Sequence, residues 1–312
     1  MTRVAGIDCG TNSIRLLIAD ADGTADAAGL VDVHREMRVV RLGEGVDRTG
    51  RLAPAAIRRT EHALADYAGL IRQTGVERVR MVATSASRDA ANAEDFTAMV
   101  RQVLGVAPEV ITGLAEAELS FVGAITGLPG LASATGPVLV TDIGGGSTEL
   151  VLGNATGGVR AAHSMDVGCV RMTERHLRDD PPTAAQIKAT EADLRAALEQ
   201  AAVDVPVAEA DRFVGVAGTV TTIAAIALRL TSYQPDAIHG SVIGYAEVAE
   251  VTERLLGLRH AERARLPVMH PGRADVIGGG ALVLRTMMDF LGAAEVIVSE
   301  HDILDGIALS LI

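Results

Sequence analysis

The chain has 312 residues, 48% hydrophobic and 22% charged, with a formal net charge of −12 at pH 7; that length has room for two domains. Three Tyr, four Phe and no Trp offer few stacking platforms, and the acidic balance disfavours a phosphate backbone, so both argue against a nucleic-acid partner. Cys9 and Cys169 are the only cysteines and form neither a disulfide framework nor a CxxC pair. There is no signal-peptide pattern and no stretch near the roughly 18 apolar residues of a membrane span, so a cytoplasmic protein with no membrane partner is expected.

In chain order, an apolar run leads into DCGTNSIRLLIAD, from Asp8 to Asp20, read as strand, tight turn, strand, with a third strand over Leu30–Gly43. Helical periodicity covers Ala55–Gly75, with Leu64, Ala68 and Ile71 on one face. VRMVATS returns to strand, and a helix follows from Arg88 with Phe96, Val100 and Val103 inward. After a short strand at Glu109–Ile111, a helix begins in LAEAEL and breaks at Gly127 and Pro129. The small, uncharged stretch Pro129–Pro137 marks a boundary, giving domains 1–128 and 129–312, with the last helix able to pack back on the first domain. The second domain opens with PVLVTDIGGGSTELVLG and a hairpin to Met165. It continues with a helix near Ala184–Val203, a strand at Arg212–Val216, helices near Val220, at Ala246–Leu256 and around Gly278–Gly280, then the strand EVIVS and a final amphipathic helix. Alternating strands and helices indicate layered α/β packing.

The repeated element is the strongest chemical signal. Asp8–Ser13 and Asp142–Ser147 both place a Ser five residues after an Asp, around a glycine-containing turn. Gly144, Gly145 and Gly146 let backbone N–H groups converge on an anion, and Ser147 adds a hydroxyl. Thr11, Asn12 and Ser13 offer side-chain hydrogen bonds in the first copy, where Arg15 either balances phosphate charge or caps an exposed strand face. Asp142 is placed to hold hydrated Mg²⁺ or orient water; Glu149 is a second candidate acid that alternation could turn away, and Asp8 is a weaker candidate. A plain glycine-rich hairpin turn is the bland alternative. Neither loop is a GxxxxGK[ST] P-loop, and both run into strands, unlike a dinucleotide fingerprint. Gly218 and Thr219, where a strand meets a helix, are a third phosphate contact or a simple helix cap. Gly278–Gly280 mark another ligand approach or a close helix crossing.

Glu116 and Glu118 open a helix and cannot share its face, so at most one acts as general base toward water; helix-dipole complementarity accounts equally well for them. Arg88, unfavourable at a helix start, suits a bidentate phosphate grip. Arg41 and Arg171 are weaker candidates of the same kind, and His239 is a lone histidine that lines a site or serves structure. No HExxH or close histidine pair suggests zinc.

Together DCGTNSIRLLIAD, RLGEGVDRTGRL, ATSASRDAAN, ITGLAEAEL, DIGGGSTELVLG, DVGCVRMTE, VAGTVTT and IGGGALVL resemble, in order and across nearly the whole chain, the exopolyphosphatase and guanosine pentaphosphate phosphatase family. The resemblance implies an α/β fold of two ribonuclease-H-like domains, of the actin, sugar kinase and heat-shock chaperone superfamily, with an inter-domain cleft. It makes Glu116 the residue that orients or deprotonates the attacking water, Asp142 and Glu149 the magnesium-linked acids (Mn²⁺ being the alternative metal), Gly144–Ser147 the main phosphate loop, and Asn12, Ser13 and Arg88 further phosphate partners. The implied reaction is release of terminal orthophosphate from inorganic polyphosphate, of shorter chains because longer relatives continue with further helical domains. The alternatives are hydrolysis of guanosine pentaphosphate, a kinase of the same superfamily, and a nucleotide-dependent scaffold without turnover. A homodimer is reasonable for the family. The chain departs from the family pattern at Ala115, Glu118, Leu304 and Asp305.

Overall fold

The computed structural model describes residues 2–21, 30–83, 90–126, 128, 131, 136–154 and 158–312. The chain divides into two compact units, one formed by Met1–Gly127 with Asp302–Ile312 and the other by Leu128–His301.

The first unit is built on a five-stranded sheet of order β3-β2-β1-β4-β5: β1 (Thr2–Cys9), β2 (Ser13–Ala21), β3 (Leu30–Val39), β4 (Arg78–Ala83) and β5 (Glu109–Val110). Strands β1 and β2 form an antiparallel hairpin, whereas β4 runs parallel to β1. Alternation sends Ala5, Ile7 and Cys9 to one face, where Leu64 and Tyr67 of the Pro54–Thr74 helix and Phe96 and Val100 of the Ala93–Leu104 helix complete a core. Tyr67 is fully buried and satisfies its hydroxyl by donating to the Ile14 carbonyl at 3.1 Å. The other face carries Val4, Leu17 and Ala19, covered by Leu304 and Ala308 of the C-terminal Ile303–Leu309 helix. That helix lies beside the Gly113–Thr126 helix at backbone distance: a Cβ on Gly306 would stand 2.1 Å from the Leu119 carbonyl oxygen. The unit is therefore a sheet between two helical layers.

The second unit repeats the scheme. Its sheet has the order β10-β11-β9-β6-β7-β8, with β6 (Val138–Ile143), β7 (Thr148–Asn154), β8 (Gly158–Met165), β9 (Arg212–Val216), β10 (Val242–Gly244) and β11 (Glu295–Val298). Strands β8-β7-β6-β9-β11 match β3-β2-β1-β4-β5 in order and direction, with β10 added antiparallel at the edge. Two copies of this arrangement are the ribonuclease-H-like pattern. Leu139, Ile143, Leu150 and Leu152 point into a core shared with the Ala184–Asp204, Ala217–Ala227, Tyr245–Gly257 and Ile277–Leu291 helices.

Most predicted elements occur close to their expected limits. Of the helix expected from Arg88, whose first residues lie outside the described ones, the described part is Ala93–Leu104; the one expected near Val220 begins at Ala217, which brings Gly218 and Thr219 into its first turn. The triple glycine marks a helix crossing: a Cβ on Gly279 would stand 2.5 Å from Thr173 Oγ1, and one on Gly280 2.5 Å from the Thr219 methyl. No helix among the described residues is long and apolar enough to cross a membrane.

Candidate functional site

The two glycine turns share one hydrogen-bond plan. Gly10 N–H donates to the Ser13 carbonyl and Gly144 N–H to the Ser147 carbonyl, each at 3.0 Å. In both turns a returning segment takes up the loop carbonyls. Thr11 O accepts from Gly43 N at 2.9 Å, and Asn12 O accepts from Val40 N at 3.0 Å and Arg41 N at 2.8 Å. Arg41 reaches this position with a left-handed φ of 50°. In the second unit Gly144 O accepts from Cys169 N at 2.9 Å, and Gly145 O from Val170 N at 2.9 Å and Arg171 N at 3.1 Å. The first amides of the Cys169–His176 helix are thereby satisfied by the glycine loop. These bonds commit the loop carbonyls to the segments that return against them. Gly168 makes the seat possible, since a Cβ there would lie 2.4 Å from the Gly145 oxygen.

Register decides where the acids go. Asp8 is the direct cross-strand partner of Arg15, and Asp142 of Glu149. Direct partners share a sheet face, so the alternation that could have turned Glu149 away from Asp142 does not do so. Both are buried, at 6% and 1% exposure. Ser164, the partner of Glu149 on β8, donates to its Oε1 at 2.8 Å. In the first unit Arg15 donates to Asp8 Oδ2 through Nε at 2.9 Å and Nη2 at 2.6 Å, and through Nη1 to Asp302. Burial pushes the Asp8 carboxyl above its ordinary range, and Arg15 opposes that shift. Asp8 Oδ1 is buried without a hydrogen-bond partner among the described residues.

Glu116 occupies the first turn of its helix and is 8% exposed, whereas Glu118 faces solvent. Ala115 packs toward Val82, Ile111, Ile303 and Ile307. Leu304 fills the apolar face of β1 and β2, and Asp305 pairs with Arg35 at 2.5 Å, so both departures near the C-terminus have structural uses. Arg171 pairs with Asp166 at 3.1 Å. His239 accepts from Glu300 N at 3.2 Å through Nδ1, and its ring centroid lies 4.7 Å from that of His301. Arg88 lies outside the described residues.

Sequence reasoning assigned no role to Arg273. Its Nη1 donates to Thr222 Oγ1 at 2.8 Å, and its guanidinium lies over Gly218, where a Cβ would meet Nη2 at 2.1 Å. The only signal was the GRAD string ahead of the triple glycine. Ser164 and Asp302 were also unassigned.

A family model described as the Ppx/GppA phosphatase family matches residues 17–312. The chain belongs to this family. It is 54% identical over 320 aligned residues to Exopolyphosphatase 2 of Mycobacterium tuberculosis, covering 100% of this chain and 99% of that protein. Among solved structures it is similar to an exopolyphosphatase-like protein, with 42% identity and a TM-score of 0.94 over 99% of this chain and 97% of the other. The Aquifex aeolicus Ppx/GppA family member is 34% identical, with a TM-score of 0.82 over 99% and 97% of the two chains. The Ppx/GppA assignment and these matches establish the two-domain ribonuclease-H-like fold implied by strand order.

No group of three or more His, Cys, Asp or Glu able to hold a metal occurs among the described residues. Asp142 and Glu149 are a pair of buried carboxylates on one sheet face. That donor set fits Mg²⁺, which commonly binds through one or two carboxylates and completes its shell with water and phosphate oxygens.

Proposed function

We infer that this chain is an exopolyphosphatase, a hydrolase releasing orthophosphate from the end of inorganic polyphosphate. The observation that carries this is the 54% identity, along the whole of both chains, to a protein named Exopolyphosphatase 2. The duplicated turn, with its carbonyls engaged inward, is the kind of surface that holds phosphoryl oxygens.

In the second unit the N–H groups of Gly145 and Gly146, the Ser147 hydroxyl, Gly218 and Thr219 are the phosphate contacts; in the first unit they are Thr11, Asn12 and Ser13. Glu116 accepts a proton from the attacking water, which forms the new P–O bond as the phosphoanhydride bond breaks. The shortened polymer leaves with the electron pair of that bond. Asp142 and Glu149 would hold Mg²⁺, and Ser164 keeps the Glu149 carboxylate oriented. When bound, the ion offsets phosphate charge, the dominant need of phosphoryl transfer. Arg273 contributes positive charge beside Gly218.

The test is orthophosphate release from tripolyphosphate, long-chain polyphosphate and guanosine pentaphosphate, with and without Mg²⁺. Faster turnover of polyphosphate supports the assignment. Preference for guanosine pentaphosphate moves the activity to the nucleotide. Nucleotide binding with no release from any substrate would point to a scaffold.

A further inference from the structure

Asp302 is where the C-terminal segment enters the first unit, and hydrogen bonds of its side chain and backbone fix it there. Its Oδ1 accepts from Leu304 N at 2.9 Å, capping the Ile303–Leu309 helix. Its N–H donates to Asp305 Oδ2 at 3.0 Å, closing a capping box. Its Oδ2 accepts from Arg15 Nη1. The Asp302 carbonyl oxygen would stand 1.8 Å from a Cβ on Gly123, within the helix that carries Glu116. One residue therefore touches both the Glu116 helix and the arginine two positions after Ser13.

Arg15 stands between two acids. Its guanidinium serves two buried carboxylates, Asp8 and Asp302, whose side chains are 6% and 5% exposed. Nearby, Asp305 and Asp32 both pair with Arg35, and Glu36 pairs with Arg38 on the strand beside Arg15. Arg15 itself retains 19% exposure, so it is within reach of a solute. A carboxylate on a guanidinium makes the same charge-assisted hydrogen bond as a phosphate oxygen. Helix capping does not require this charge, because Asn and Ser cap as well as Asp.

We propose, resting on the exopolyphosphatase assignment, that Asp302 is a specificity-determining residue: its carboxylate occupies the Arg15 guanidinium where a substrate phosphate would otherwise bind. The native protein consequently holds polyphosphate through one phosphate contact fewer in the first unit. This weakens its grip without changing the reacting groups.

The experiment is Asp302→Asn, which retains the cap and removes the charge. KM for tripolyphosphate is expected to fall roughly tenfold, the size of one hydrogen bond to a charged group, with kcat changed less than about twofold. Calorimetric binding of tripolyphosphate without divalent metal should tighten by a similar factor, and Arg15→Gln in the Asp302→Asn background should cancel the gain. Asp302→Ser, a second neutral cap, should behave like Asp302→Asn and serves if the first variant folds poorly. Unchanged or weaker binding in the folded neutral variants overturns the proposal, as does a gain that survives loss of Arg15. Tighter binding with no orthophosphate release by the native protein would support the Arg15–Asp302 relation while removing the exopolyphosphatase assignment.

Discussion

Asp142 and Glu149 stand directly opposite each other across β6 and β7, with both side chains buried on one face of the sheet. Two like charges so placed repel unless a cation or a proton intervenes. Asp142→Asn and Glu149→Gln should each raise the Mg²⁺ concentration needed for half-maximal orthophosphate release. Ser164→Ala should raise it by about tenfold, the lower end of outer-shell effects. A Mg²⁺ titration that superimposes on the native one in all three variants would remove these residues from the metal's environment.

Glu116 and Glu118 separate cleanly by exposure. Glu116→Gln should lower kcat by about 10²–10⁴-fold, the usual worth of a general base. Tripolyphosphate binding measured by calorimetry should stay within about twofold of native, as expected for a group acting in the transition state. Glu118→Gln should leave kcat within about twofold because solvent already surrounds it. Equal losses in both variants would contradict the assignment of the base.

Gly168→Ala places a methyl group 2.4 Å from the Gly145 carbonyl oxygen. That oxygen is held by two helix amides, so loop and helix must separate. Phosphate-loop geometry, and with it kcat/KM for polyphosphate, should drop by at least about tenfold, in line with the sensitivity of oriented catalysis to small displacements. Native kinetics in a folded Gly168→Ala variant would show that the loop is not held by this seat.

Gly306→Ala tests the joint between the C-terminal helix and the Glu116 helix. Its Cβ would stand 2.1 Å from the Leu119 backbone oxygen, and backbone cannot rotate aside. A cost of about 1–3 kcal/mol is expected, as for other overpacked sites. The thermal midpoint followed by circular dichroism should fall by several degrees; an unchanged midpoint would show that the crossing relaxes freely.

His270 carries a pH dependence. Burial, and secondarily the Arg273 charge, lower its pKa from the usual 6.5. Its Nδ1 accepts from Gly272 N at 3.2 Å, which requires that nitrogen to be unprotonated. The folded state binds this proton less readily than the unfolded state. Its stabilising contribution is therefore present above about pH 6.5 and is lost as pH falls through the depressed folded value. The imidazole resonance of His270 should titrate below pH 6.5 by NMR, and a midpoint at or above 6.5 would contradict the assignment.

The paired turns, their flanking strands and the order of helices were legible because they rest on local rules: glycine placement, alternation of apolar residues and helical periodicity. Burial of Glu116 with exposure of Glu118 was partly legible, since residues two apart on a helix point in different directions. The sequence left Glu149 open, because its face depends on the register of the hairpin, and a shift of one residue would have reversed it. Four relationships were out of reach: Arg15 with Asp302, 287 positions apart; Arg273 with Thr222, 51 apart; Gly168 beneath Gly145; and Gly306 against Leu119. Local chemistry named the groups able to meet phosphate. Packing of distant segments determined which charges were already paired, because ion pairs and close backbone approaches depend on distances set only when sheets and helices assemble.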